Sequence, residues 1–192
     1  MTDTIVHTDV LKGGEFLIRD TQPEDVFIPE DFNEEQLMIK QMAVDFLEQE
    51  IYPNAQKIEK QEDGIAPKLL KKMGDLGLLG AHMPQVYGGL ELDTNTNTVI
   101  SEVFGPAGSI IVAFAAHTGI GMLPILYFGT EEQKRKYLPG LISGDLKAAY
   151  CLTEPGSGSD ALAAKTRADL GADGTHYVLN GQKMWISNAG FA

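Results

Sequence analysis

The hydrophobic pattern of this chain changes once, between residues 143 and 147, and that change limits what it can fold into. Up to about residue 140 the apolar residues recur at helical spacing, and the segments carry helix start and stop signals. From Leu146 onward, "LKAAYCLT" reads as a strand. "THYVLNGQKMWISNA" reads as two strands meeting at Asn180-Gly181, a strong hairpin signal flanked by Tyr177, Val178, Trp185 and Ile186. Two to four strands are too few for an independent sheet. The expected class is therefore α+β: an all-α bundle followed by the opening of a β-domain, in a truncated chain. The expected divisions are an extended arm at 1–32, a helical domain at 33–146 and an incomplete β-domain at 147–192.

The helical reading rests on local chemistry. Asn33 followed by Glu34, Glu35 and Gln36 has an N-cap side chain, acids at the positive end of the helix dipole, and capping-box register. Leu37, Val44, Leu47 and Ile51 then fall on one face, with Pro53 just past the end. Pro67 opens a second helix with Leu69, Leu70, Met73 and Leu76 as its stripe, closed by Gly77 and Gly80. Residues 83–92 read as a loop. Residues 96–116 read as a helix broken near Gly105-Pro106, and about 118–128 as another. Thr130 caps "EEQKRKYLPGL", whose Lys134-Arg135-Lys136 run is expected to be a solvated helix end.

Composition excludes several classes. The net charge of −12 argues against a nucleic-acid partner. Residues 1–63 hold 16 acids and 5 bases, so the acidity belongs to the N-terminal surface and the rest could receive an anionic cofactor. No apolar run reaches the roughly 18 residues of a membrane helix. The longest candidate is 109–116, so no integral membrane segment is expected. The start "MTDTIVHTDV" has no basic apolar signal for export or import. The single cysteine, Cys151, permits no internal disulfide and fits a reducing compartment. No Cys/His cluster has metal spacing, so no metal is expected.

"AYCLTEPGSGSDA" (149–161) contains Gly156-Ser157-Gly158-Ser159-Asp160-Ala161, which matches G-x-G-x-x-A. A dinucleotide fold needs that pattern directly between a strand and a helix in a βαβ unit. Here Thr153-Glu154-Pro155 intervenes, helices precede it and a hairpin follows, so the context speaks against that fold. An ordinary Gly/Ser loop remains the plain reading of the motif alone.

Together with "LNGQKMWISNAGFA", and with "FGTEEQKRKYLPGLISGD" just upstream, the stretch resembles the acyl-CoA dehydrogenase family over about residues 35–192. "FAAHTGIGMLPILYFGT" and the long arm resemble its very-long-chain branch. The resemblance implies a β-barrel-like middle domain, FAD as cofactor and α,β-dehydrogenation of an acyl-CoA in fatty acid β-oxidation. Tyr150, Cys151, Leu152, Thr153, Gly158 and Ser159 would line the flavin and its pyrophosphate, with Ser159 also facing the acyl-CoA substrate. Trp185 would pack against the isoalloxazine, beside Ile186, and Ser187 would offer a hydroxyl near N5.

The family's basic glutamate is expected beyond residue 192, so no catalytic residue is assigned here and these residues alone are expected to be inactive. Electron-transferring flavoprotein is the implied electron acceptor, and a homodimer or homotetramer the implied assembly. The cytoplasm is the implied compartment, with the mitochondrial matrix as the alternative. An acyl-CoA oxidase and a non-catalytic helical interaction module are the competing readings.

The physical chemistry of the segment agrees with the resemblance. A strand end at Thr153 offers an N–H and a hydroxyl to a ring edge, and Gly156 and Gly158 allow close backbone approach. Ser159 adds donors for phosphate oxygens. Cys151 is expected to be buried core, and His117 a satisfied structural histidine. Glu154 and Asp160 are expected to cap local backbone more readily than to act as an acid/base pair.

Overall fold

The computed structural model describes residue 11 and residues 13–192, in two compact units, Met1–Ile39 and Lys40–Ala192. The first unit does not form the plain extended arm expected. Its described residues make three single 3-10 turns, Glu15–Leu17, Pro23–Asp25 and Pro29–Asp31. Carboxylates two or three residues inside these turns satisfy the free amides: Asp25 Oδ2 accepts from Gln22 N at 2.9 Å and Asp31 Oδ2 from Ile28 N at 2.9 Å. At the start of helix α1 (Glu34–Phe46) the reciprocal cap is formed as read from sequence. Gln36 N donates to Asn33 Oδ1 at 2.9 Å, and Asn33 N to Gln36 Oε1 at 3.0 Å.

In the second unit the buried stripe of α1 is Ala43, Phe46 and Leu47, at i, i+3 and i+4. Leu37, expected on that face, is 49% exposed; it sits about 120° around the helix from Ala43 at 3.6 residues per turn. The chain does not stop at Pro53 either. A wide π turn (Leu47–Ile51) and a short turn (Tyr52–Asn54) lead into α2 (Ala55–Glu59). Helix α3 (Ile65–Asp75) follows and buries Leu69, Leu70 and Met73, while Leu76 is left largely exposed after its end.

α4 (Thr94–Phe104) is capped by Asp93, whose Oδ1 accepts from Thr96 N at 2.7 Å. Residues 105–108 break the helix where Gly105-Pro106 predicted a break, and α5 (Ser109–Ala115) resumes it. Phe104 is fully buried at the crossing of these helices, 6.2 Å from the ring of Phe46 and 5.4 Å from that of Phe114.

α5 continues through a second π turn (Ala116–Gly121), marked by a bond from Met122 N to His117 O at 3.1 Å, into α6 (Leu123–Phe128). The result, Ser109–Phe128, is one 20-residue helical run with a mean hydropathy of 1.8 in its most apolar window. This corrects the expectation that no apolar run is long enough to cross a membrane. By length and composition this one is, and 33% of that window is buried within the protein. Glycines 119 and 121 lie in the wide turn and do not end the helix.

α7 (Glu131–Ile142) has the predicted cap at Thr130, which Gln133 closes into a capping box. It runs on through Pro139 to Ile142, so Lys134, Arg135 and Lys136 lie in its first half, not at its end. Lys134 and Arg135 reach back to Glu131 at 3.3 and 4.0 Å. The C-terminal end of α7 closes a core cluster of Met83, Tyr87, Met122, Leu138, Leu141, Ile142 and Ala148.

The β part departs further from the reading. Residues 147–153 form no regular element and pair with no strand among the described residues, so "LKAAYCLT" is not a ladder strand here. One short turn, Ala161–Ala163, follows Asp160. The hairpin pairs β1 (Arg167–Leu170) antiparallel with β2 (Tyr177–Asn180), in register Arg167 with Asn180 and Leu170 with Tyr177. Its turn is Gly171–His176, built around Asp173-Gly174 with Gly174 at φ +67°. Asn180-Gly181 ends β2 instead of turning it. A Cβ on Gly181 would lie 2.2 Å from Thr166 Oγ1, so that glycine serves a close approach. Every residue of both strands is exposed.

Candidate functional site

Two segments come together after the helical unit: 148–159, and 183–188. Their junction is a set of polar contacts. Met184 N donates to Thr153 O at 2.9 Å. Lys183 Nζ donates to Leu152 O at 3.0 Å and to Glu154 Oε1 at 2.8 Å. Glu154 is nearly buried and its carboxylate also accepts from Lys165 N at 2.6 Å and Thr166 N at 3.0 Å. The Lys183 ammonium first, and then the donors of residues 165 and 166, hold the Glu154 carboxyl well below its ordinary range, at about 2. Glu154 therefore caps backbone, as expected. Asp160 is exposed and does not pair with it; its own carbonyl accepts from Ser157 Oγ at 2.8 Å.

The root of the first segment is held from two sides. Ala148 N donates to His117 Nδ1 at 3.0 Å, and Ala148 O accepts from Asn188 Nδ2 at 3.0 Å. Asn188 Nδ2 also donates to Ala113 O at 3.0 Å. His117 is fully buried, and its Nε2 meets Leu141 O at 2.9 Å. Since Nδ1 accepts, the ring proton sits on Nε2 and is donated to Leu141. Burial pushes this imidazole below its usual pKa, against the pull of the Leu141 carbonyl and aided by the charge of Lys147. His117 is thus the satisfied structural histidine read from the sequence.

The proposed contact residues themselves lie open. Cys151 is exposed, which corrects the expectation of a core cysteine: the segment joins no sheet, and no second layer covers it. Tyr150 and Leu152 are also exposed, as are Gly158 and Ser159. The Trp185 side chain is 83% exposed, and its backbone is left-handed at φ +59°. For a bulky residue that conformation is an outlier, of the kind that collects at functional sites. Ile186 and Ser187 are half-buried and line a cavity of about 550 Å³ together with Ile58, Pro67, Ile110 and Ala113. Tyr150 to Ser159 and Trp185 are not part of that cavity. A Cβ on Gly156 or Gly158 would meet nothing within 4 Å, so no close approach inside this chain requires those glycines.

The donor set fits a flat aromatic ligand with a polar edge. The hydroxyls of Thr153, Ser159 and Ser187 and the Trp185 indole N–H have no partner among the described residues. Two hydroxyls and an aromatic face therefore sit unengaged on the two clamped segments, with a third hydroxyl beside a pocket. Sequence reasoning missed Lys183 and Asn188. The one signal for Lys183 is that it is the only charge between Thr175 and Ala192. Among the described residues no group of three or more His, Cys, Asp or Glu could hold a metal.

Residues 33–145 match the acyl-CoA dehydrogenase N-terminal domain, and residues 149–192 the acyl-CoA dehydrogenase middle domain. A probable acyl-CoA dehydrogenase of Bacillus subtilis is 54% identical over 184 residues, 96% of this chain and 31% of the relative. A second Bacillus subtilis protein, an acyl-CoA dehydrogenase, is 44% identical over 160 residues, 83% of this chain and 41% of its own length. The crystal structure of an acyl-CoA dehydrogenase complexed with FAD from Bacillus anthracis superposes with a TM-score of 0.89 at 52% identity, over 95% of this chain and 31% of that one. The chain thus spans well under half of the length of each of these relatives.

Proposed function

Because the chain belongs to the acyl-CoA dehydrogenase family, we propose that the protein carrying it holds FAD against Tyr150–Thr153, Gly158, Ser159 and Trp185–Ser187 and dehydrogenates an acyl-CoA thioester between its α- and β-carbons. The observation that carries this reading is the junction of the two segments by Met184–Thr153 and by Lys183, with the hydroxyls of Thr153, Ser159 and Ser187 left unengaged beside it. The Bacillus anthracis relative, solved with FAD, supports the choice of cofactor.

FAD, when bound, supplies an acceptor for the β-hydrogen as hydride. The residues of this chain bind and orient. Thr153 offers its hydroxyl to the ring edge, Ser159 offers its hydroxyl to a phosphate oxygen or to the thioester substrate, and Ser187 offers its hydroxyl from the cavity side. The exposed Trp185 ring supplies a stacking face. Glu154 is not the base that removes the α-proton: its oxygens are occupied by Lys183, Lys165 and Thr166, and its low pKa makes it a poor proton acceptor. On this reading the base is a residue other than Glu154 in the protein that carries this chain, and these 192 residues alone should not turn over an acyl-CoA. Transfer of electrons to electron-transferring flavoprotein, a homodimeric or homotetrameric assembly, and a domain division at residues 33 and 147 belong to the same reading.

The test is the absorbance of the purified protein, which should show flavin bands that fade on replacing Trp185 with Ala. With 83% of the ring exposed, that substitution should leave unfolding within about 0.5 kcal/mol of the parent. A Trp185→Ala protein that keeps its full complement of FAD sinks the assignment of Trp185. A parent that neither copurifies with FAD nor takes it up sinks the whole reading.

A further inference from the structure

Among the described residues, Ala148 is the one whose two backbone polar groups are both taken by side chains from other parts of the fold. Its N–H goes to His117 in the π turn, and its C=O to Asn188 directly after Ser187. Both side chains are at least nine-tenths buried, and so is Ala148. His117 is fixed in turn by Leu141 at the end of α7, and Asn188 by Ala113 at the end of α5. Asn188 reaches this position with a left-handed backbone, φ +69°, which Asn tolerates better than other side-chain-bearing residues. One turn of buried helix therefore registers the root of the first segment, and through Ala148 the end of the second.

We propose that His117 and Asn188 are positioning residues that act jointly through Ala148 to set the spacing between the 150–159 and 185–187 segments, and so the fit of the flavin between them. The proposal rests on the flavin reading above for its ligand, but the mechanical coupling stands on the hydrogen bonds alone. Both ring nitrogens of His117 and the amide nitrogen of Asn188 are engaged within the fold, so only Asn188 Oδ1, at the cavity, is left to meet a ligand. Removing either one leaves Ala148 with a buried group unpaired, and the fault is felt by both segments because each is tied to the same residue.

The experiment compares the parent with His117→Leu, His117→Asn, Asn188→Gly and the His117→Leu/Asn188→Gly double variant in the whole protein. Gly keeps the left-handed backbone while deleting the amide. Asn at position 117 restores an acceptor for Ala148 N. Two readouts are taken: the dissociation constant for FAD by flavin fluorescence, and amide hydrogen exchange in residues 149–153 and 183–187 without added FAD. The expected result is about tenfold weaker FAD binding in each single variant, no further product in the double, and partial recovery with Asn. Exchange should rise in 183–187 of His117→Leu, a segment His117 does not touch. Independent, multiplying losses would overturn the joint role. So would faster exchange confined to the segment next to each mutation, or FAD binding within twofold of the parent when only the melting temperature falls. A parent that binds no FAD would remove the flavin reading, and the exchange pattern would still decide the brace. If His117→Leu does not fold, Asn188→Gly carries the same test, with 149–153 as the distant segment.

Discussion

Replacing Gly74 with Ala sets two well-calibrated effects against each other. Gly74 lies inside α3, where Ala is favoured over Gly by up to about 1 kcal/mol on helix propensity. At this position, however, a Cβ would stand 2.3 Å from Ser143 O, 2.5 Å from its carbonyl carbon and 2.9 Å from Gly144 N. The first contact must open by about 0.7 Å to reach the 3.0 Å that real Cβ atoms respect. The obstacle is backbone, and it is tied down. Lys71 Nζ donates to Ser143 O at 3.0 Å, Ser143 N bonds Pro139 O at 3.0 Å, Gly144 N bonds Leu141 O at 3.1 Å, and Gly144 sits at φ +71°.

Overpacking against a fixed wall costs about 1–3 kcal/mol. The net change should therefore be a loss of up to about 2 kcal/mol, with the propensity gain overridden. At about 2–4 °C per kcal/mol for a chain of this size, thermal unfolding followed by far-ultraviolet circular dichroism will resolve it. Gly119→Ala is the control, since a Cβ there meets nothing within 4 Å and only the propensity gain remains. A Gly74→Ala protein as stable as the parent would show that α3 and the end of α7 yield to each other, and would refute the argument from close approach.

The Glu154 carboxylate should make the hairpin region acid-sensitive. Its folded pKa, about 2, lies below the ordinary 4.5, so its stabilisation is complete above about pH 4.5 and is lost as pH falls toward 2. Protection of the Lys165 and Thr166 amides, taken relative to their intrinsic exchange rates, should fall across that window in the parent and stay flat in Glu154→Gln, and equal slopes would discard the role. Phe104→Ala should cost about 3–5 kcal/mol in urea unfolding, because a fully buried ring in contact with Phe46 and Phe114 leaves a cavity that three helices enclose. A loss under about 1 kcal/mol would mean that the site collapses around the deletion.

The helical part was legible because its signals are local. Asn33 and Thr130 each carry their cap partner three residues away; the box at Asn33 forms as read, and the cap read at Thr130 forms with Gln133 completing it. The β part was not, for three physical reasons. First, a strand needs a partner to be one, and residues 147–153 find none among the described residues. Second, Asn180-Gly181 and Asp173-Gly174 are both good turn signals, and the choice between them depends on which flanking run pairs. Arg167–Leu170, with two charges and both faces exposed, has no apolar alternation to announce itself. Third, burial of Cys151 was inferred from the sequence of a sheet that this segment does not join. At the candidate site the contact residues were nameable from a resemblance. The groups that hold them in place were not: Lys183 and Asn188 act over separations of 29 and 40 residues, a distance at which a single sequence is silent.

The π turn at Ala116–Gly121 makes the Ser109–Phe128 run one residue longer than the regular helix that would join the same two ends. In a regular helix an extra residue would turn everything after it by about 100° around the axis, but the wide turn absorbs it, so the faces of α5 and α6 fall out of step in sequence only. His117 sits in that turn, and from there it meets Leu141 and Ala148. Placed on a relative with a regular helix, this sequence needs a gap at the turn. Without the gap, each side chain of α6 inherits a neighbour's surroundings. A one-residue deletion here would convert the wide turn to regular helix and leave the side chains of α6 in their surroundings. Change in length at this point alters the turn that carries His117 while leaving the rest of the fold untouched.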